Sequence, residues 1–221
     1  MSGQFVANIQ SSGNDERKIN MGKVTLDMSM SLDGFITGPN ASAEHPLGIG
    51  GERLHEWLFN GDTRSRYNEW FKLSESSREV FDESITTLGA IVVGRRWFDV
   101  IDGWGGNPPI PVPYFVLTHQ VPEKWARAGS PFTFVTDGIE SPLKRAQAAA
   151  GDKDVAVGGA NVAQQCLKAG LLDEIQIDLV PVLLGDGIRL FDHLGTEHIE
   201  LESTRVIQSP GVTHLRFRVI R

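Results

Sequence analysis

The sequence predicts a three-layer α/β domain, a mostly parallel mixed sheet with helices on both faces and an antiparallel β-hairpin at its C-terminal end. Three observations lead there. Short apolar runs such as Ala90–Val93 and Tyr114–Leu117 recur along the middle of the chain, as strands buried on both faces do. Helix-period segments alternate with them. In the last third, period-two alternation replaces both patterns and flanks Ser209-Pro210-Gly211.

Taken in order, Val24, Leu26, Met28, Met30 and Leu32 alternate with polar residues, which predicts a first strand with one buried face, ending at Asp33–Gly34. Thr37–Gly51 is rich in glycine and proline and reads as a long irregular loop, the expected lid. Ser76 and Glu79 have capping-box spacing, and Val80, Phe81, Ile85 and Leu88 continue at helical spacing, so a helix is expected from about Ser76 to Leu88. Strands follow at Ala90–Val93, Tyr114–Leu117 and Phe132–Val135. Ser141 before Pro142, with Gly151 beyond, predicts a helix over Pro142–Ala150. Asp154–Val157 is a further strand, running into Gly158–Gly159. Val162, Cys166 and Ala169 then mark one face of a helix that Gly170 ends. Ile175, Ile177 and Leu179 alternate with Glu174, Gln176 and Asp178, and Ile199–Ile207 with Thr213–Val219 make the hairpin.

A chain of 221 residues can bury roughly 70% of its unfolded surface, enough for an unaided core. Residues 1–20 are polar and lack either period, so they are expected to be a flexible extension to one domain over 21–221. The net charge of −7, with no basic cluster beyond Arg95–Arg96, argues against nucleic acid as a partner. No apolar run approaches the roughly 18–20 residues that span a bilayer, so no membrane association is expected. The single cysteine, Cys166, rules out an intrachain disulfide and any multi-cysteine metal site. It is expected to be buried and inert, and the protein cytoplasmic.

Two glycine turns carry the functional expectation. In Val92-Val93-Gly94-Arg95-Arg96-Trp97-Phe98 a strand ends in glycine and opens a helix, whose unpaired N–H groups favour an anion; two arginines add charge there. In Val155-Ala156-Val157-Gly158-Gly159-Ala160-Asn161 two glycines let a pyrophosphate lie against backbone with no Cβ in the way. Neither is the G-x-G-x-x-G fingerprint, and a structural tight turn explains Gly-Gly about as well.

The order of these segments resembles the dihydrofolate reductase superfamily. Gly94-Arg95-Arg96-Trp97-Phe98 resembles the G-R-x-T-[WFY] turn, Tyr114–Thr118 the strand that follows it, and Gly158-Gly159-Ala160 the Gly-Gly turn. Ser31-Leu32-Asp33-Gly34, Gly170–Glu174 and Pro181–Gly187 resemble the C-terminal reductase domain of bifunctional riboflavin-biosynthesis deaminase/reductases. The resemblance covers about Met21–Arg221. It implies a dihydrofolate reductase-like fold, a homodimer, and NADPH held by Ile36, by Gly94, Arg95, Arg96, Thr118 and His119 on the 2′-phosphate side, and by Gly158, Gly159, Ala160, Asn161 and Val162 at the pyrophosphate.

On the substrate side the chain departs from the family. Phe35 stands where riboflavin-pathway reductases carry a basic residue, Val157 where they carry an acidic one, and Trp97 where the first turn has threonine. Glu56 and Trp57, in the helical stretch ERLHEWLF, are the candidate carboxylate and aromatic wall, ahead of Glu52, Asp62 and Glu69; Asp33 reads as a turn residue beside the substrate. No residue is singled out as catalytic and no metal is expected. The implied function is an NADPH-dependent reductase delivering hydride to a small conjugated heterocycle, pterin- or pyrimidine-like. The alternatives are a non-catalytic NADP-binding or regulatory module and a true riboflavin-pathway reductase.

Overall fold

The structure, a computed structural model, describes residues 21–127 and 129–220, so the predicted extension over 1–20 lies outside the described residues. The chain runs β1 (Val24–Ser31), β2 (Phe35–Thr37), a 3-10 helix (Gly51–Leu58), β3 (Thr63–Arg64), β4 (Lys72–Leu73), α1 (Glu75–Thr87), β5 (Leu88–Gly94) and α2 (Arg95–Val100). After a second 3-10 segment (Asp102–Gly106) come β6 (Tyr114–Leu117), β7 (Phe132–Val135), α3 (Glu140–Ala150), β8 (Asp154–Gly158), α4 (Ala160–Lys168), β9 (Glu174–Val180), β10 (Ile188–Arg189), β11 (Leu201–Ser209) and β12 (Val212–Val219).

Eight strands form one sheet in the order β11-β12-β9-β1-β8-β5-β6-β7. Neighbours from β9 to β7 are parallel, whereas β12 is antiparallel to both β9 and β11. This is the predicted mixed sheet with its antiparallel end. Alternation along β5 explains the two covered faces: Ala90 and Val92 join the core with Leu143 and Ala146 of α3 and Val162 and Cys166 of α4, while Ile91 and Val93 pack with Phe98 of α2. Fully burying a side chain of this kind contributes roughly 1.5–3 kcal/mol. Cys166 is completely buried, which pushes its thiol up to about 12.

Local readings need correction where short polar residues compete for one role. The cap of α1 is Ser74, whose Oγ accepts from the Ser77 N–H at 3.2 Å; Ser76 sits inside the helix and pairs instead with Ser209 Oγ at 2.6 Å. Helix α3 starts at Glu140, so Ser141 lies in its first turn and caps nothing. The hairpin strand β11 begins at Leu201, with Pro210–Gly211 as its loop. Three-residue β2, pairing with β10, carries too few positions for a period to be visible. The polar face of β1 is not solvated: Ser29 and Ser31 are buried.

Candidate functional site

Because β5, β6 and β8 run parallel, their carboxyl ends open on one edge, and a cleft of about 770 Å³ lies there. It is lined by Gly94, Arg95 and Arg96 after β5, Thr118 and His119 after β6, Gly158–Val162 from β8 into α4, and Ile36 of β2. Every residue expected to hold a cofactor is thereby brought to one cavity. Ala41, Pro46 and Leu47 of the loop after β2 also line it, at the place expected of a lid.

The two glycines after β8 are glycine for different reasons. Gly159 has φ 87°, in the left-handed region, and a Cβ there would still stand 3.8 Å from Trp97. At Gly158 a Cβ would fall 1.7 Å from the Trp97 ring, so the indole fills the space that the sequence alone assigned to a pyrophosphate. Trp97 therefore takes the threonine position of the family turn by packing on the second turn. The arginines also differ. Arg95 is engaged, with Nε donating to Asp99 at 2.7 Å and Nη1 to the Gln120 carbonyl at 2.7 Å and to Thr118 Oγ1 at 3.4 Å. Arg96 is exposed and makes no ion pair with any described residue. Helix α2 is only six residues long, so positive charge here rests on guanidinium groups more than on a helix dipole. Thr37 Oγ1, also in the cleft lining, is a buried hydroxyl with no partner among the described residues.

A second cavity of about 420 Å³ lies under α1, between β1, β9 and the first 3-10 helix; Met28, His55, Trp97 and Gly158 line both spaces. Its polar floor comes from the face of β1 that alternation assigned to the polar side. Asp27 Oδ2 accepts from Ser84 Oγ and from Gln176 Nε2, each at 2.9 Å. Arg216 donates to Gln176 Oε1 at 2.9 Å, which fixes the amide with its nitrogen toward Asp27. Burial, reinforced by repulsion from Asp178, raises the Asp27 carboxyl to about 7. His55 is held below its ordinary value by burial, and its Nδ1 has no partner among the described residues.

Beside this floor lies a serine–histidine–aspartate chain. His214 Nδ1 meets Asp178 Oδ1 at 2.6 Å and its Nε2 meets Ser77 Oγ at 2.9 Å. Its order is that of a nucleophile relay, but Ser77 is 1% exposed and His214 3%, and neither lines either of these two cavities, so burial keeps an acyl group from the hydroxyl. The chain ties α1 to β9 and β12.

Of the substrate candidates, Trp57 lines the second cavity, buried at 5%, with Nε1 donating to Ser29 at 3.1 Å. Glu56 does not: it faces solvent, paired with Arg53 at 3.0 Å. Glu52, Asp62 and Glu69 line neither cavity. Asp33 also lies outside both; hydrogen bonds from Ser31 and from the Gly185 and Leu184 amides hold it down at about 2, so it anchors the Pro181–Gly187 segment. Asp27, His55 and Arg189 were not singled out from sequence. The Arg189 guanidinium lies 4.3 Å from the Phe35 ring centroid, bringing positive charge from β10 to the place where Phe35 lacks it. Among the described residues no cluster of His, Cys, Asp and Glu could hold a metal ion, and no helix is long and apolar enough to cross a membrane.

This architecture has recognisable relatives. YwjB of Bacillus subtilis (strain 168), itself an uncharacterized protein, is 24% identical over 193 residues, spanning 83% of this chain and 91% of YwjB. A Shewanella sp. PV-4 protein assigned by name to riboflavin biosynthesis superposes with a TM-score of 0.68 at 20% identity, over 90% of this chain and 99% of that one. RibD of Acinetobacter baumannii gives a TM-score of 0.61 at 18% identity, over 91% of this chain and 59% of RibD. At such identities the superpositions establish the fold alone. The family model of the RibD C-terminal domain matches residues 22–215, and the chain belongs to that family.

Proposed function

We propose that this protein is an NADPH-dependent reductase that binds the dinucleotide in the larger cleft and a small conjugated heterocycle, pterin- or pyrimidine-like, in the adjoining cavity. The observation that carries the reading is the convergence of three strand-end turns on one cleft, with an open glycine of positive φ, a free guanidinium and an orphaned hydroxyl in its lining. Gly159 to Val162 would lie along the pyrophosphate, Arg96 and Thr118 would face the 2′-phosphate, and Thr37 would gain a partner. NADPH supplies the hydride; the chain orients it and keeps water from it. The cytoplasm is the location that fits this chemistry.

Calorimetry with NADPH and NADH tests the assignment. A guanidinium–phosphate pair is charge-assisted, so Arg96→Ala should weaken NADPH by roughly tenfold or more and leave NADH nearly unchanged. Arg95→Ala should weaken both, because Arg95 also holds Thr118 and the Gln120 carbonyl in place. Equal affinity of the parent for the two cofactors would overturn the reading. Steady loss of nicotinamide absorbance with an added acceptor then distinguishes an enzyme from a binding module. We further propose a homodimer through the C-terminal hairpin, where edge strand β11 exposes Leu201 and Val206; a monomeric mass by light scattering at micromolar concentration would exclude it.

A further inference from the structure

We propose that Asp27 is the proton donor of this reductase, acting from the cavity under α1 on the atom next to the carbon that receives the hydride. The inference rests on the reductase reading above and assigns the residue that reading leaves open. Five carboxyl groups line this cavity, and four are committed elsewhere. Asp178 is bonded to His214, Glu83 to Arg216 and Arg205, Glu174 to Lys23, and Asp154 to the Lys23 N–H. Asp27 differs in being held only by neutral side chains, Ser84 and Gln176, both of them on Oδ2. Its Oδ2 accepts two hydrogen bonds, which occupy both lone pairs, while Oδ1 makes none with the described residues. A proton on this carboxyl is therefore carried by Oδ1.

The surroundings suit an acid that stays protonated near neutrality and survives losing the proton. Burial and the Asp178 charge on β9 hold the proton, raising the group to about 7. Arg216 from β12 acts in the opposite sense, and Ser84 and Gln176 stabilise the anion once it forms. The other charged or titratable groups of the cavity are Glu83 on α1, already paired, Lys23 with its partners Glu174 and Asp154, and His55 on the 3-10 helix, held below its ordinary value by burial. The unpartnered His55 Nδ1 lies in the wall shared with the cofactor cleft, where it can take a second polar group of the same ligand.

The chemistry closes on itself. The hydride of reduced nicotinamide adds to the carbon of a polarised C=N bond, the π pair moves to nitrogen, and nitrogen takes the proton from Oδ1. Oxidised nicotinamide, a saturated C–N bond and ionised Asp27 result, and Asp27 regains its proton from water. A planar nitrogen heterocycle of one or two rings suits a cavity of about 420 Å³ walled by Trp57, Leu58 and Ile91.

The test uses the full chain saturated with NADPH, labelled with 13C at aspartate carboxyls, and compares the parent with Asp27→Asn. A carboxyl signal titrating near 7, present in the parent and absent from the variant, is expected; titration of Asp27 below about 5 would overturn the proposal. Reduction is followed with 2-methyl-1-pyrroline, dihydrofolate and the phosphoribosyl-aminouracil intermediate as acceptors. For whichever is reduced, kcat/KM should fall as pH rises through about 7. Asp27→Asn should lose about a hundredfold or more while its NADPH affinity, which also reports folding, stays unchanged. Turnover by Asp27→Asn at the parent's rate would remove Asp27 from the chemistry and leave the cofactor assignment standing. Failure of NADPH to bind, or of the parent to reduce any of the three acceptors, would strike the reductase reading itself and the acid with it.

Discussion

Gly159, in the lining of the larger cleft, holds a φ of 87°, a conformation that costs an L residue roughly 1–2 kcal/mol before any ligand is considered. Gly159→Val adds a β-branched side chain where a pyrophosphate would approach, so the expected result is at least tenfold weaker NADPH binding by calorimetry with the fold retained. Unchanged affinity would remove the turn from the site. At Asp27 the consequence is for stability. Its folded-state value of about 7 lies well above the ordinary carboxylate value, so the folded state holds the proton more tightly, and its contribution to stability falls as pH rises from about 4 to 7. Asp27→Asn should therefore be more stable than the parent at pH 8, by on the order of a few kcal/mol, and equal to it near pH 4. Thermal melts at the two pH values decide this, and a variant less stable at pH 8 would contradict it. Gly-Gly after an apolar strand made a turn at Gly159 legible in sequence, though not whether a ligand or only a tight turn uses it. Asp27 was not legible: one polar residue in an alternating strand reads as solvated, and only the packing of α1 over that face shows otherwise.

The clearest case at the scale of elements is the contact between α1 and the antiparallel end of the sheet. His214 of β12 lies opposite Asp178 of β9 in register, and its far nitrogen reaches Ser77 in the first turn of α1, with the Trp57 ring edge-on at 5.2 Å. Removing the hydrogen-bond partner of a buried carboxylate costs about 3–5 kcal/mol, because its charge is left uncompensated. His214→Ala should therefore lower Tm by roughly 6–20 °C, given about 2–4 °C per kcal/mol for a domain of this size. Ser77→Ala, losing one neutral hydrogen bond, should cost only about 1 kcal/mol. Equal, small losses from both variants would show that the chain is not what docks α1. Elements with a strong internal period, β1, β5, β8 and the terminal hairpin, were legible because burial imposes that period on their sequence. Caps and two- or three-residue strands were not, because several serines compete for one cap and short pairings are set by distant chain such as Ile188–Arg189.

At the scale of the molecule, the larger cleft and the cavity under α1 share a wall made of Met28, His55, Trp97 and Gly158, so under the proposed function the polarity of that wall and its surroundings would select the acceptor. In riboflavin-pathway reductases the resemblance places a basic residue after S-x-D-G and an acidic one before Gly-Gly. Here Phe35 is buried with the Arg189 guanidinium over its ring, and Arg189 lines the larger cleft, so positive charge is still available near the first position. Nothing comparable happens at the second. Val157 is 2% exposed, lines the cavity under α1 and presents only methyl groups. A substrate hydroxyl turned toward it would lose its hydrogen bond at a cost of about 1–3 kcal/mol, roughly one to two orders of magnitude in kcat/KM. Asp27 cannot make good that loss while acting as the proposed acid, because Ser84 and Gln176 hold its Oδ2 and its Oδ1 is the atom that would deliver the proton. The purified protein should therefore reduce the phosphoribosyl-aminouracil intermediate at least tenfold less efficiently than a riboflavin-pathway reductase assayed beside it with NADPH, and should prefer an acceptor that is apolar where it meets Val157. Parity between the two enzymes would show that Arg189 and the residues around it read the sugar phosphate unaided, and that Val157 has no part in choosing the substrate.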